Sequence, residues 1–232
     1  MKSGSSINEI LVTSFGANDS AELKTFGPSA TPPASGTATS KLSEDYSAVD
    51  VLAWKDGSNI YYYAAGYTDS GKKIPMNNEY LYDGMFNYCY GLKSIDLSGF
   101  DTSQVTCMRE MFDGCSRLTS LYVSNFDTSN VTSMEYMFYS CSSLTSLDPG
   151  NFDTGKVTNM RFMFYDCSSL GTIYASSSFV TTGVGAYCDN YMFYWCTSLV
   201  GGAGTTYSSG STGKDRARID GGSSARGYFT AR

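Results

Sequence analysis

Seven cysteines are the side chains of this sequence best suited to metal binding or cross-linking. Thiols that recur in register point the same way rather than at one another, so we predict buried free thiols, although neighbours could come within disulfide range. We expect no metal site, because the sequence has no C-x-x-C pair and no histidine. Cys107 and Cys188 share another position, three repeats apart and too distant to bond directly. The five cysteines in register are Cys89, Cys115, Cys141, Cys167 and Cys196.

The residue combinations that support catalysis are also missing. Without histidine, Ser-His and Cys-His nucleophile systems are excluded. Gly201–Gly204 lacks the Lys-Ser/Thr that follows a phosphate-binding loop. Asp101, Asp127 and Asp153 each precede a threonine in a repeated turn, where capping of backbone groups is favoured over calcium binding. We therefore predict a protein that is not an enzyme and needs no cofactor.

One column of residues has the chemistry of a binding surface. The sequence predicts that Asp96, Tyr122, Asp148 and Tyr174 follow inward leucine or isoleucine residues and face solvent on a sheet. Tyrosine offers contact area and a polar tip, so this column could hold a polar or glycan ligand. The alternative is an ordinary solvated sheet. The flanking hydroxyl column is Ser94, Ser120, Ser146 and Thr172, and a second aromatic set, either an exposed rim or packing between repeats, is Tyr88, Tyr90, Tyr139, Tyr165, Tyr194 and Trp195.

A repeated segment positions these residues. The Met-Phe pairs begin at Met85, Met111, Met137, Met163 and Met192, so the sequence numbers advance by 26, 26, 26 and 29. A cysteine follows each methionine at the fourth position, and a leucine follows each cysteine at the third: Leu92, Leu118, Leu144, Leu170 and Leu199. Periods of about 20–29 residues with this leucine spacing are typical of leucine-rich repeats.

Each repeat contains the signals of a strand, a turn and a short helix. Leu118–Val123 alternates as a short strand does, and Asn125–Asn130 has turn-forming side chains. Apolar residues from Val131 to Cys141 recur every three or four positions, which predicts a short helix. Because one unit cannot bury its apolar face alone, we predict an α/β solenoid of five stacked copies, with short parallel strands and short helices.

The repeated motif FDTSxVTxMxxMFxxCxxLxxL resembles the BspA-type leucine-rich repeats of bacterial surface proteins. The resemblance covers roughly Leu81 to Leu199, and Ala217–Gly222 with Gly227–Thr230 resembles a terminal segment of such proteins. It implies a secreted or surface-displayed adhesion module that binds a protein or glycan on a host or microbial surface.

The segments outside the repeats are predicted to form two caps and an N-terminal arm. Two β-rich runs, Val49–Trp54 and Asn59–Ala64, flank Asp-Gly and predict a hairpin. We expect a flexible arm or linker over residues 1–40, with a strand-forming arm as the alternative over positions 1–26. We expect an N-terminal capping hairpin over 41–80, the repeats over 81–200 and a C-terminal cap over 201–232. Both caps are expected to be hairpin-like.

The composition of the chain limits the classes of partner and the cellular locations that we expect. The net charge of −6 argues against nucleic acid, and no apolar run is long enough for membrane insertion. A secretory signal needs an apolar core of about 7–15 residues, whereas Ile10–Val12 is short. We therefore expect an extracellular or cell-surface protein whose signal was removed or that leaves the cell by another route. The alternative is a structural virion protein, a capsid decoration or fibre module, attached through an N-terminal arm that could also hold an oligomer together.

Overall fold

The computed structural model describes residues 10–17, 24–41, 51–56, 59–65, 67–68, 72–77, 84–187 and 191–232. Three short helical turns occur in these ranges: a π turn over Ile10–Ser14 and 3₁₀ turns over Lys214–Arg216 and Gly222–Ser224. The strands are β1 (Lys24–Pro28), β2 (Ser40–Lys41), β3 (Val51–Asp56), β4 (Asn59–Ala64), β5 (Ile74–Asn77), β6 (Leu92–Asp96), β7 (Phe100–Gln104), β8 (Ser120–Tyr122), β9 (Ser146–Leu147), β10 (Thr172–Ala175) and β11 (Phe229–Ala231).

Two pairs of consecutive repeats are joined by parallel strands in a fixed register. Ile95 of β6 lies opposite Leu121 of β8, and Leu147 of β9 lies opposite Ile173 of β10. In both pairs the partners occupy the same position of two consecutive repeats. The strands belong to three sheets, with the orders β2-β3-β4-β1-β6-β8, β11-β10-β9 and β5-β7. Leucines at equivalent places in four repeats are buried in one core: Leu92, Leu118, Leu144 and Leu170.

Tight turns occupy the segment that the sequence predicts to be a helix. The amides of Tyr136, Phe138 and Ser140 donate to carbonyls of the following repeat, whereas the amide of Met137 donates to the carbonyl of Met134 and closes a tight turn. An α-helix needs each of these amides for the carbonyl four positions earlier. Because alternate amides are used between repeats, the short helix predicted over Val131–Cys141 does not form.

Each repeat has two positions with a left-handed backbone. They are the residue before the methionine of each Met-Phe pair and the third residue after that methionine, with φ between 52° and 70°. L-residues adopt this conformation at an energetic cost, and glycine does so freely. Only Gly84 and Gly114 are glycines; the other eight positions are Tyr88, Glu110, Tyr136, Ser140, Phe162, Asp166, Tyr191 and Trp195.

An aromatic column runs through the core of the repeats. The phenylalanines of the five Met-Phe pairs lie with neighbouring ring centroids 5.4–5.7 Å apart and planes within 10° of parallel. Phe26 of β1 meets the first of these rings at 5.1 Å, and Tyr228 meets the last at 5.3 Å. The column therefore joins the N-terminal strand to the C-terminal segment. Its repeat members are Phe86, Phe112, Phe138, Phe164 and Phe193.

The thiols lie beside this column. Six cysteines in the described ranges are buried, and Cys188 lies outside those ranges. In four repeats the thiol donates to the phenylalanine carbonyl of the preceding repeat: Cys115 to Phe86 at 3.2 Å, Cys141 to Phe112 at 3.2 Å, Cys167 to Phe138 at 3.0 Å and Cys196 to Phe164 at 2.8 Å.

The N-terminal end differs from the expected flexible arm. Strand β1, which the sequence assigned to that arm, lies between β4 and β6 and pairs with both in parallel. Strands β3 and β4 form the antiparallel pair where a hairpin was predicted, but β1 separates them from the first repeat. Phe26 explains the position of β1, because its ring is buried against Tyr62 at 5.2 Å. Residues 1–9, where an attachment arm would begin, lie outside the described ranges.

The C-terminal end is closed by one strand rather than the expected hairpin. Strand β11 pairs in parallel with β10, with Phe229 opposite Ile173. Asp220 organises the loops before it, because its carboxylate accepts hydrogen bonds from the amides of Ala203 at 3.0 Å and Thr205 at 2.9 Å. Within the described part of the chain, no helix has the length and apolar character needed to cross a membrane.

Candidate functional site

The predicted binding column lies on the strand face, which we define as the outward side of β6, β8, β9 and β10. Asp96 lies opposite Tyr122 in the β6–β8 register. Tyr174 follows Ile173, the partner of Leu147, and therefore lies beside Asp148. Tyr122 is 57% exposed and Tyr174 is 39% exposed. The structure thus pairs Asp96 with Tyr122 and places Asp148 and Tyr174 each directly after a paired residue of β9 and β10.

A shallow groove of about 310 Å³ lies at the centre of the strand face. It is lined by Tyr122 and Asp148 together with the hydroxyl side chains of Ser120, Ser124 and Ser146. Hydroxyl, phenol and carboxylate groups can exchange hydrogen bonds with a polyol or with peptide groups. The groove therefore brings two of the four predicted residues into one polar site.

The two aspartates of the strand face also shape local turns. Asp96 accepts a hydrogen bond from the amide of Ser98 at 2.8 Å, and Asp148 accepts one from the amide of Gly150 at 3.0 Å. The other oxygen of Asp148 lies 3.5 Å from the guanidinium of Arg232. Sequence reasoning missed this ion pair, because no local pattern connects two residues so far apart in the chain.

The repeated Asp-Thr turns are held by hydrogen bonds between side chains and the backbone. Asp101 and Asp127 accept the amide of the second following residue at 2.9 and 3.0 Å. The following threonine hydroxyls donate across repeats, Thr102 to the carbonyl of Asp127 at 3.0 Å and Thr128 to that of Asp153 at 2.9 Å. Among the described residues, no group of three or more His, Cys, Asp or Glu side chains could hold a metal ion.

A second surface, the turn face, carries side chains from the left-handed positions and their neighbours. Two rows of rings run across the last three repeats with stacked planes, at centroid separations of 5.0 and 5.7 Å in the first row and 4.8 and 5.5 Å in the second. The rows are Tyr136, Phe162 and Tyr191, and Tyr139, Tyr165 and Tyr194. The sequence interpretation named the second row and missed the first, which an alignment of the residue before each Met-Phe pair reveals.

Carboxylates replace the rings of the turn face in the second repeat. Asp113 occupies the position of Tyr139, and Glu110 occupies that of Tyr136. Arg109 lies 2.5 Å from Glu110 and 3.4 Å from Glu135. Burial raises the pKa of the Asp113 carboxyl to about 7, with the charge of Glu110 acting in the same direction and Arg109 opposing both. The turn face therefore combines an aromatic stretch over the last three repeats with acidic side chains in the second repeat.

Comparison with family models decides the family. The model described as "Mycoplasma protein of unknown function, DUF285" matches residues 80–201, more than half of the chain. The chain belongs to the DUF285 family. Searches of curated proteins and of solved structures gave no match.

The DUF285 match includes both candidate surfaces. The strand-face residues from Asp96 to Tyr174 and the turn-face residues from Tyr88 to Trp195 lie inside it. Strands β1, β3 and β4, and the C-terminal residues Asp220 and Arg232, lie outside it. The family region thus contains the repeats and both surfaces, while the two ends of the described structure are additions to it.

Proposed function

We propose that this DUF285 chain is a non-enzymatic binding and adhesion module of the BspA type. In this proposal the repeats form a leucine-rich solenoid displayed on a bacterial surface. The strand face recognises a protein or glycan partner. The observation that carries the proposal is the exposed Tyr122 beside Asp148 in the groove of the strand face.

Three features support a solenoid of leucine-rich repeats. The parallel register advances by one full repeat at Ile95–Leu121 and again at Leu147–Ile173. The equivalent leucines are buried together, as a shared interior requires. The outward positions between them alternate between aspartate and tyrosine, so the variable chemistry lies on the surface rather than in the core.

Tyrosine exposure favours recognition on the strand face over an ordinary solvated sheet. Exposed tyrosines can supply large contact area with little loss of conformational freedom. The serines around Tyr122 leave its ring accessible, and the Asp148 carboxylate adds a charged acceptor at the same groove. An alternating set of this kind suits a polar ligand such as an oligosaccharide or an extended peptide.

A binding screen tests the strand face. The protein is applied to glycan and extracellular-matrix arrays, and each hit is measured again with Tyr122 and Tyr174 both changed to Ala. We expect at least a tenfold weaker Kd, the usual size of a tyrosine hot spot. Tyr187→Ala is the matched control, because Tyr187 is 85% exposed and lies off this face.

Two results would contradict the proposal. Unchanged affinity in the double variant would remove the strand face as the binding surface. A chain that binds neither array would argue against adhesion. Surface display is tested separately by antibody labelling of intact cells that express the native gene, where labelling only after lysis would contradict it. The virion alternative stays a prediction.

A further inference from the structure

An unpaired carboxylate lies beneath the turn face. Asp113 is 7% exposed, and its Oδ1 accepts no hydrogen bond from any described residue. Buried polar atoms in proteins almost always have a partner, and one without a partner calls for an explanation. In the neighbouring repeats the equivalent positions are Asn87 and Tyr139, so the fold itself does not require a carboxylate here.

Tyrosines of the preceding and following repeats flank this carboxylate. The ring of Tyr88 lies over Gly114, at the site where a Cβ atom would stand. The charge of Asp113 is the main cause that raises the pKa of Tyr88. It also adds to the effects of burial and of Tyr165 in raising the pKa of Tyr139. Asp113 therefore lies within electrostatic reach of two phenol rings, and Tyr88, which is 53% exposed, is the outer one.

The charges around Asp113 leave an excess of negative charge. Glu110 and Glu135 share the single guanidinium of Arg109. Asp113 takes part in neither of those ion pairs, so the guanidinium of Arg109 does not neutralise all three carboxylates. A further positive group at this place would be attracted both by the carboxylate and by the faces of the tyrosine rings.

The turn face already holds one contact of the same kind. The guanidinium of Arg161 lies 4.6 Å from the ring centroid of Phe162. The rings of Tyr136, Phe162 and Tyr191 are kept at left-handed positions with φ of 55°, 56° and 58°. Bulky residues adopt this backbone at a cost, and such strain is concentrated at functional sites.

We propose that the turn face binds a basic segment of a partner protein, with one lysine or arginine side chain entering between Tyr88 and Tyr139 to pair with Asp113. The rest of the segment lies along the two aromatic rows, where its polar side chains meet tyrosine hydroxyls and its aromatic side chains pack against ring edges. This proposal concerns a different face from the strand-face groove and shares no residue with it, so either proposal can fail without the other.

A peptide titration tests the proposal. The probes are an oligo-arginine peptide and an oligo-citrulline peptide of the same length, which keeps the shape and loses the charge. We expect the protein to bind the arginine peptide at physiological salt at least tenfold more tightly than the citrulline peptide. Asp113→Asn and Tyr88→Ala are each expected to weaken that binding at least tenfold.

Matched variants separate a site from general charge attraction. Asp153→Asn removes the same charge at an exposed turn, and Tyr187→Ala removes an exposed ring elsewhere. Both should bind the arginine peptide within twofold of the parent protein. Equal losses in Asp113→Asn and Asp153→Asn, or no loss in either, would overturn the proposal.

Two further measurements complete the test. A thermal melt at pH 8 should show Asp113→Asn no less stable than the parent, so that lost binding cannot be assigned to unfolding. Cellohexaose is the competing probe. If it binds and Tyr88→Ala abolishes that binding while leaving the arginine peptide unaffected, the turn face recognises glycans and the proposal of a basic segment is wrong.

Discussion

Two buried aspartates show how local hydrogen bonding sets the sign of an electrostatic effect. Burial would raise the pKa of Asp220, but donors from Thr205, Gly222 and Gly227 outweigh it and lower the pKa to about 2. Asp113 has no comparable set of donors, and burial raises its pKa to about 7. The folded protein therefore favours the ionised form of Asp220 and disfavours the ionised form of Asp113.

Replacing Asp220 should destabilise the C-terminal end. In Asp220→Asn the amide group would face backbone donors, so we expect the free energy of unfolding to fall by about 2 kcal/mol at pH 7. The native contribution is present above the ordinary pKa of about 4 and is lost as pH falls towards 2. Urea unfolding at pH 7 and at pH 2.5 measures the difference in the free energy of unfolding between the parent protein and Asp220→Asn. This difference should be smaller at pH 2.5. The control Asp215→Asn, at an exposed site, should change the free energy of unfolding little at either pH.

Replacing Asp113 should have the opposite effect. The folded-state pKa lies above its ordinary value, so stability is complete below about pH 4 and declines as pH rises to 7. Asp113→Asn removes this penalty and should raise the free energy of unfolding by about 2 kcal/mol at pH 8. Urea unfolding at pH 8 and at pH 4 checks it. A gain of the same size at both values would rule out the electrostatic cause.

Gly84 tests the left-handed turns. A Cβ atom at this position would collide with the carbonyl oxygen of Glu110, and φ is +67°. We expect Gly84→Ala to lower the free energy of unfolding by about 2–3 kcal/mol, from backbone strain plus the clash. Gly36 has φ of +86° and open space around it, so Gly36→Ala isolates the strain and should cost about 1 kcal/mol. If chemical denaturation shows the same loss of unfolding free energy for Gly84→Ala and Gly36→Ala, the clash with Glu110 contributes nothing.

At the scale of elements, strand β1 connects the hairpin β3–β4 to the repeats. The sequence offered a strand-forming arm over positions 1–26 only as the alternative to a flexible arm, because β1 is short, adjoins a Pro- and Ser-rich stretch and carries little alternation. The short helix was predicted wrongly for a different reason. A spacing of three and four positions describes an apolar face, but it does not reveal whether the amides bond within the segment or to the next repeat.

Truncating Phe26 should uncouple the hairpin from the repeats. Its ring is buried between Tyr62 and Phe86. Phe26→Ala should therefore cost about 3–5 kcal/mol. Hydrogen exchange should show lost protection across β1, β3 and β4 while β9 and β10 keep theirs. Uniform loss over all strands would show instead that the molecule unfolds as one unit.

At the scale of the whole molecule, the constant length of the repeat controls the register. The sequence located the strand face through this period, and it placed Asp96, Tyr122, Asp148 and Tyr174 on equivalent strand positions. It could not predict the ion pair of Arg232, the parallel pairing of β11 with β10 or the unpaired Asp113, because those depend on contacts between distant segments. A repeat can be recognised from the sequence alone, whereas the contacts that close the two ends of the fold cannot.

Removing one whole period should preserve the fold. Deletion of residues 125–150 joins Ser124 to Asn151 and leaves every equivalent position in register. Phe126 and Phe152 are stacked at 6.4 Å with planes 3° apart, so one can replace the other. We expect a shorter, cooperatively folded protein by circular dichroism and thermal melting. Deletion of residues 125–149, which falls short of the full period, should shift the register and fail to fold cooperatively.

Burial makes the cysteines of the thiol column insensitive to the redox state of their surroundings. Burial raises the pKa of Cys115, Cys141 and Cys167 well above the ordinary range, so almost no thiolate is available for attack on an oxidant. Each of these thiols also donates a hydrogen bond to a backbone carbonyl. The same fold can therefore form in a reducing cytoplasm and persist in an oxidising medium without any change in these cysteines.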